Sequence, residues 1–305
     1  MSVVGKILSG IPLRSKVISA VAFLLQLRWQ NVAAIVVSQY IAAVFLFNDS
    51  ENWRHTLTDF KLHGLIFSVA LLTAGGYIIN NFYDKEKDRI NRPIRTAIES
   101  SIPKARMLYT YFSVSILGSL IALSVSFRAF VYYSVYAFLL WAYSHKFKKI
   151  TLLGNLIATF LVVIPFFGLL LYYREANPLV FYYGFFYSWM LFMKESVKDL
   201  RFFRGDVIME YQTVPVALGL SKAVKMLRAY AVVGILIALG FWFVTFQGNS
   251  FSQYAQIFAL LSIVAYSYIL FFFRTPKRFR RAAYMHLVLR GGLISGILLL
   301  PFLFE

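Results

Sequence analysis

Nine mostly apolar stretches, at 30–47, 62–82, 106–125, 129–145, 152–173, 177–197, 224–246, 252–273 and 283–303, occupy most of this 305-residue chain. A helix that crosses the hydrocarbon core of a bilayer needs about 20 such residues. The pattern predicts an all-α fold, a polytopic membrane bundle of nine transmembrane helices. Composition points the same way. With 60% of residues hydrophobic and 14% charged, there is too little polar sequence to cover a soluble core of this size. Residues 13–28 mix Arg14, Lys16 and Arg28 with Leu and Phe and read as an interfacial amphipathic helix. Residues 1–28 thus form a cytoplasmic or interfacial segment ahead of spans running from about 30 to 303. Only a short apolar run precedes Pro12 and Arg14, so no signal peptide is read. No linker or low-complexity tract divides the sequence, and 1–305 is taken as one membrane domain.

The basic residues alternate between the two ends of these spans. The N-terminal segment and the loops after spans 2, 4, 6 and 8 hold 26 of the 31 Lys and Arg. The opposite side holds Arg54, Lys61, Arg128 and Arg174, and Arg290 lies inside the last span. The positive-inside rule then places the N-terminus in the cytoplasm and the C-terminus outside. In a soluble protein a net charge of +18 would suggest nucleic acid. Here it reads as loops facing anionic lipid or an anionic substrate, with no nucleic-acid partner. Cysteine is absent, which excludes disulfides, thiolate metal sites and Cys nucleophiles. The four histidines show no ligand spacing and read as interface or loop residues. Gly75-Gly76 and Gly291-Gly292 fit close helix packing or a hinge. Arg290 either lines a cavity or snorkels and pairs locally.

Two segments on the basic side are acidic where an anchor would not need them to be. At about 100° per residue, Asn80, Asn81, Asp84 and Asp88 fall within one arc of about 100° at the mouth of a helix. Like charges at such spacing repel, so the stripe suits a divalent cation. Mg²⁺ takes hard oxygen ligands, commonly one or two carboxylates plus substrate phosphates. Lys85, Lys87, Arg89, Arg92 and Arg95 surround the stripe and could hold diphosphate oxygens. A solvated, charge-mixed loop is the bland alternative. The paired asparagines weigh against it, being poor helix formers inside a helix. The second segment runs from Lys194 to Asp206. Glu195, Asp199 and Asp206 share an arc of about 40° if the helix continues that far, with Lys198, Arg201 and Arg204 around them.

These motifs resemble the UbiA superfamily of intramembrane prenyltransferases. The family's first motif, N-D-x-x-D-x-x-x-D with a following I-N-R-P, is matched by Asn80, Asn81, Asp84, Asp88 and Ile90 to Pro93. The end of its fourth span, Y-[SA]-x-x-L-K-[RK] and then G-N, is matched by Tyr143, Ser144, Lys148, Lys149, Gly154 and Asn155. Its second motif in one branch is K-[DE]-x-x-K-D-x-x-D-x-x-G-D with T-[LV]-P-[VI]. Lys194, Glu195, Lys198, Asp199, Gly205, Asp206 and Thr213 to Val216 match it.

The resemblance implies nine helices around a central cavity that opens to the cytoplasmic side, and Mg²⁺ held by the two acidic motifs. It further implies a polyprenyl diphosphate whose tail lies in an apolar tunnel, and a membrane-soluble acceptor. Carried over, Asn80, Asp84, Asp88, Asp199 and Asp206 are metal ligands, and the four aspartates are the catalytic set. Asn80, Asn81, Arg92, Tyr143, Lys148, Asn155, Lys194 and Lys198 bind substrate. Two positions depart from the pattern. Asn81 stands where the family has aspartate, and Phe202 stands where the second motif has a carboxylate. Either Asp199 or Glu195 could take over from Phe202, giving an altered but working metal site. The alternative is a weakened or lost second metal.

The implied reaction is loss of diphosphate from an allylic carbon. Mg²⁺ and nearby cations stabilise the leaving charge, and Tyr and Phe stabilise the carbocation and exclude water. The second motif resembles the digeranylgeranylglyceryl phosphate synthase-like branch, which implies O-prenylation of a glycerol-phosphate lipid of the ether type. Aromatic C-prenylation of a quinone precursor is the runner-up. A catalytically degenerate prenyl-lipid-binding member is a second class. A transporter or channel is a third, disfavoured because the acidic residues cluster at span ends rather than at mid-membrane depth.

Overall fold

A computed structural model describes residues 12–47, 53–174, 178–247, 253–273 and 278–302. The chain termini and the basic residues Lys6, Arg274 and Lys277, used in the charge argument, lie outside these residues. The described chain is helical, as the apolar pattern predicts. Its helices are α1 (Pro12–Leu27), α2 (Trp29–Phe45), α3 (Trp53–Thr58), α4 (Phe60–Asn91), α5 (Pro93–Glu99), α6 (Lys104–Val125) and α7 (Phe127–His145), followed by a 3-10 turn (Phe147–Lys149). Then come α8 (Leu153–Tyr173), α9 (Pro178–Ile208), α10 (Val214–Leu218), α11 (Leu220–Gln247), α12 (Gln253–Phe272) and α13 (Arg278–Leu299), which ends in a 3-10 turn (Leu300–Phe302).

Among the described residues six helices are long and apolar enough to cross a membrane: α4, α6, α8, α11, α12 and α13. A seventh span results if α1 and α2, bent by 46° at Arg28, are taken together. Two further expected spans, α7 and α9, are helical where the sequence predicts but are more polar. Each carries several Tyr and Ser among its apolar residues. On α9 these polar tips have partners: Tyr183 and Tyr187 donate to the α13 carbonyls of Gly296 (2.8 Å) and Leu293 (3.0 Å). Trp189 donates to the α11 carbonyl of Tyr230 at 3.3 Å. The buried hydroxyls of Tyr183 and Tyr187 on α9 are thus paired, as buried polar groups need to be.

The chain divides into two compact units, one made of Met1–Val36, Phe60–Lys146 and Val207–Glu210, the other of Val37–Asp59, Phe147–Asp206 and Tyr211–Glu305. In the first unit, small residues let helices approach α4 closely. Gly118 of α6 lies where a Cβ would meet the Leu72 side chain at 3.0 Å, and Ser68 donates to the Gly118 carbonyl at 2.8 Å. Gly75 faces Ser115 and Val114 on α6, while Gly76 faces Leu140 on α7. The helix runs unbroken through both glycines, so here they serve packing rather than a hinge. Thr73 and Tyr136 share a buried hydrogen bond at 3.1 Å.

The second unit is built on α9, α11, α12 and α13. Phe186 stacks on Phe241 at 5.0 Å and meets Phe258 edge-on at 5.6 Å. Met190, Met193, Val197 and Leu200 continue this buried cluster along α9 to the start of the second motif.

Candidate active site

The first motif occupies the last turns of α4, whose apolar part is clamped as described. Asn81 and Asp84 are buried, and Asn80, Asp88 and Arg92 are half-buried. Asn81 is engaged within the protein at both ends of its amide. Its Nδ2 donates to the Gln26 carbonyl at 3.0 Å, and its Oδ1 accepts from Arg28 at 3.3 Å. Arg28 also lies over the Tyr77 ring, 5.1 Å from its centroid. Arg28 has φ 48°, a left-handed conformation costly for a side-chain-bearing residue. The bend between α1 and α2 is therefore held by the motif helix. Asp88 and Lys85 line a shallow recess with Gln26, Asn81, Thr96 and Glu99. The buried Glu99 is balanced by Arg95 at 2.7 Å, which also donates to the Leu25 carbonyl. Arg92 precedes Pro93 at the start of α5, a position where proline's missing N–H costs nothing. Tyr143 sits on α7, where the rings of Trp141 and His145 stack at 5.3 Å.

The second motif lies on α9, which continues to Ile208 and so keeps Glu195, Asp199 and Asp206 in one helix. Asp199 is buried and accepts from the Asn155 side chain at 3.0 Å. Burial pushes its carboxyl up to about 7. The charges of Asp206 and Glu195 add to that rise, and Lys198 and the Asn155 hydrogen bond oppose it. Asp206 is 1% exposed, and its Oδ2 accepts from Thr213 at 3.3 Å. Glu195 is differently placed. Lys194 lies 2.9 Å from one of its oxygens and Lys198 bonds the other. Of the two residues expected to replace the carboxylate lost at Phe202, Glu195 is thus committed to lysines. Asp199 keeps capacity for a further ligand, since a carboxylate accepts about four hydrogen bonds.

Lys148 sits in the 3-10 turn before α8. Gly154 permits that turn, because a Cβ there would meet the Lys148 carbonyl oxygen at 3.1 Å. The same turn is tied to the segment after α9: the Gln212 amide donates to the Lys149 carbonyl at 3.0 Å and Thr151 donates to the Gln212 carbonyl at 2.7 Å. The structure therefore joins Asn155 with Asp199, Thr213 with Asp206, and Lys194 with Glu195 and Lys198. Sequence reasoning gave no role to Gln26, Arg28 or Thr213. It read His286 as an interface or loop residue and did not foresee that His286 Nδ1 lies 3.3 Å from Arg201.

Among the described residues no three carboxylates or histidines gather closely enough to hold a metal by themselves. The donor set still suits Mg²⁺, which needs only one or two protein carboxylates beside substrate phosphates and waters. Asp84 with Asp88, and Asp199 with Asp206, each supply such a pair.

The membrane-crossing α4 and the more polar α9 each carry a carboxylate motif with flanking cations. The chain matches the UbiA prenyltransferase family over residues 35–289, and it belongs to that family; it is a multi-pass membrane prenyltransferase. Digeranylgeranylglyceryl phosphate synthase of Saccharolobus solfataricus is 28% identical over 205 residues, covering 67% of this chain and 72% of the relative. The Pyrococcus furiosus protein of the same name is 30% identical over 169 residues, covering 55% of this chain and 60% of the relative. Among solved structures, a digeranylgeranylglyceryl phosphate synthase matches with a TM-score of 0.63 at 21% identity, covering 92% of this chain and 98% of that one. A UbiA homolog from Archaeoglobus fulgidus bound to GPP and Mg²⁺ matches with a TM-score of 0.59 at 16% identity, covering 90% and 99%. These likenesses establish a UbiA-type fold.

Proposed function

We propose that this protein transfers a prenyl group from a polyprenyl diphosphate to the hydroxyl of a glycerol-phosphate ether lipid, releasing diphosphate. The observation that carries the reading is the second motif. Asp199 and Asp206 are buried and accept from Asn155 and Thr213, in a chain similar to relatives named digeranylgeranylglyceryl phosphate synthase. Asp84, Asp88, Asp199 and Asp206, with Asn80, are the Mg²⁺ ligands in this reading. Bound Mg²⁺ supplies neutralisation of the diphosphate leaving group. Arg92, Lys148, Lys194 and Lys198 bind phosphate oxygens, and Asn155 and Thr213 keep the carboxylates in place. The bond from the allylic C1 to oxygen breaks with its electron pair going to diphosphate. The acceptor hydroxyl oxygen then bonds C1, and its proton leaves with the released diphosphate. Asn81 serves through Gln26 and Arg28, as support for the motif helix.

In the same reading the chain is one functional unit of nine spans with a cavity open to the cytoplasmic side. The N-terminus is cytoplasmic and the C-terminus outside, as the basic loops indicate. The test is prenyl transfer by purified protein, using geranylgeranyl diphosphate with mixed lipid and aromatic acceptors, with and without Mg²⁺, beside Asp84→Ala. A glycerol-phosphate ether product that needs both Mg²⁺ and Asp84 supports the proposal. An aromatic product overturns the acceptor, and diphosphate binding without any product points to a degenerate member.

A further inference from the structure

Between Tyr211 and Phe304 the chain has nine Lys and Arg and no Asp or Glu. Both acidic motifs set carboxylates among their cations, so this stretch is unlike them. The fold gathers much of its charge in one place. Arg228 of α11 donates through Nε to the Leu270 carbonyl at 2.8 Å, and Arg281 of α13 donates through Nη1 to the Phe272 carbonyl. The start of α11, the end of α12 and the start of α13 therefore meet at one end of the second unit. The last carbonyls of a helix lack partners within it and together carry about −0.5 of a charge. That explains the two guanidiniums but does not neutralise the five cations Lys222, Lys225, Arg228, Arg280 and Arg281. Lys222, Lys225 and Arg280 are exposed. Exposed aromatic rings lie beside and one turn deeper than these charges. Tyr268 stacks on Phe272 with centroids 5.3 Å apart, and Phe271 and Tyr284 are exposed as well. Such rings mark the level of a membrane–water interface. Two turns and more below, α11 and α12 expose Leu236, Leu239, Leu261 and Val264. Cations, then aromatic rings, then aliphatic side chains follow the order in which a phospholipid presents its phosphate, its glycerol and its acyl chains.

We propose that the shared end of α11, α12 and α13 is a docking face for an anionic phospholipid of the bilayer. Lys222, Lys225 and Arg280 meet its phosphate, and its chains lie along the aliphatic flank of α11 and α12. Arg228 and Arg281 are positioning residues that pin the end of α12 between its neighbours. Charge complementarity decides the occupant. A zwitterionic headgroup would leave the cations unbalanced, and a soluble anion would make no use of the apolar flank. The face uses no residue of the two acidic motifs and does not depend on the reaction proposed above.

The test is native mass spectrometry of the full chain released from nanodiscs of mixed phosphatidylcholine and phosphatidylglycerol, reading which lipids stay bound. The wild type should retain phosphatidylglycerol in preference. The double variant Lys222→Gln/Lys225→Gln should lower that preference at least about fivefold, the attraction of one cation for an anionic surface. Arg280→Gln should act in the same direction. Lys104→Gln/Arg106→Gln removes two exposed cations at the start of α6 in the first unit and should leave the preference unchanged. All five side chains are exposed, so the core stays intact, which equal melting temperatures check. Equal retention of both lipids by the wild type would overturn the face, and so would an unchanged preference in Lys222→Gln/Lys225→Gln. An equal loss in Lys104→Gln/Arg106→Gln would replace it with an unspecific basic belt. A preference abolished by inorganic phosphate at constant ionic strength would make the occupant a soluble anion and overturn it too.

Discussion

Asn155 and Asp199 stand 44 residues apart in sequence, and the amide of the first donates to the carboxylate of the second at 3.0 Å inside the protein. This bond favours the ionised carboxylate against the burial that raises its pKa. A hydrogen bond to a charged group contributes about 1.5–3 kcal/mol. Asn155→Ala should therefore lower kcat/KM by roughly 10- to 100-fold and raise the Mg²⁺ concentration needed for half activity. Initial rates across a Mg²⁺ series check this. An unchanged Mg²⁺ requirement would remove Asp199 from the ligand set.

Thr213 performs the equivalent service for Asp206, the more deeply buried of the two. Thr213→Val keeps the shape and removes the donor. It should lower kcat/KM by about tenfold, whereas Thr213→Ser should retain most of the wild-type value. The pair separates the hydroxyl from the packing of the turn that begins α10.

Much of this arrangement was legible in the sequence, and the part that was not has a common cause. The stripe from Asn80 to Asp88 could be read because one helix carries it and helical periodicity fixes its geometry. The same held for Glu195, Asp199 and Asp206, since α9 continues past them. What periodicity cannot give is the partner from a distant element. Gln26 and Arg28 reach Asn81 from 55 and 53 residues away, and His286 reaches Arg201 from 85 away. The lysine embrace of Glu195 was within reach of helical spacing, yet carboxylates near lysines look alike whether they bind metal or balance charge. The polar character of α7 and α9 was visible as tyrosine, but the carbonyls that accept from Tyr183 and Tyr187 were not.

Asn81 gives a prediction against the family pattern. Restoring the family's aspartate with Asn81→Asp places a carboxylate 3.0 Å from the Gln26 carbonyl, where the amide now donates. Two acceptors would face each other in a buried setting, at a cost of about 1–3 kcal/mol. The bond from Arg28 offsets only part of that. Asn81→Asp should lower the melting temperature in detergent and leave Mg²⁺ affinity unimproved. Tighter Mg²⁺ binding in this variant would instead make position 81 a ligand.

Two glycines that look alike in sequence should respond oppositely. Gly118 lies in α6 with the fully buried Leu72 side chain 3.0 Å from where a Cβ would stand, and Leu71 Cβ at 3.3 Å. Leu72 cannot withdraw without opening the α4 packing that presents Asn80, Asp84 and Asp88. Overpacking of this kind costs about 1–3 kcal/mol, more than the helix propensity of up to about 1 kcal/mol that alanine returns. Gly118→Ala should therefore lower thermal stability and reduce activity together. Gly291 in α13 has open space around it, so only the propensity gain applies. Gly291→Ala should leave activity unchanged and stability equal or slightly raised. Melting curves and transfer rates on the two variants decide the matter: a stable Gly118→Ala protein would mean that the α4 and α6 helices can part without loss.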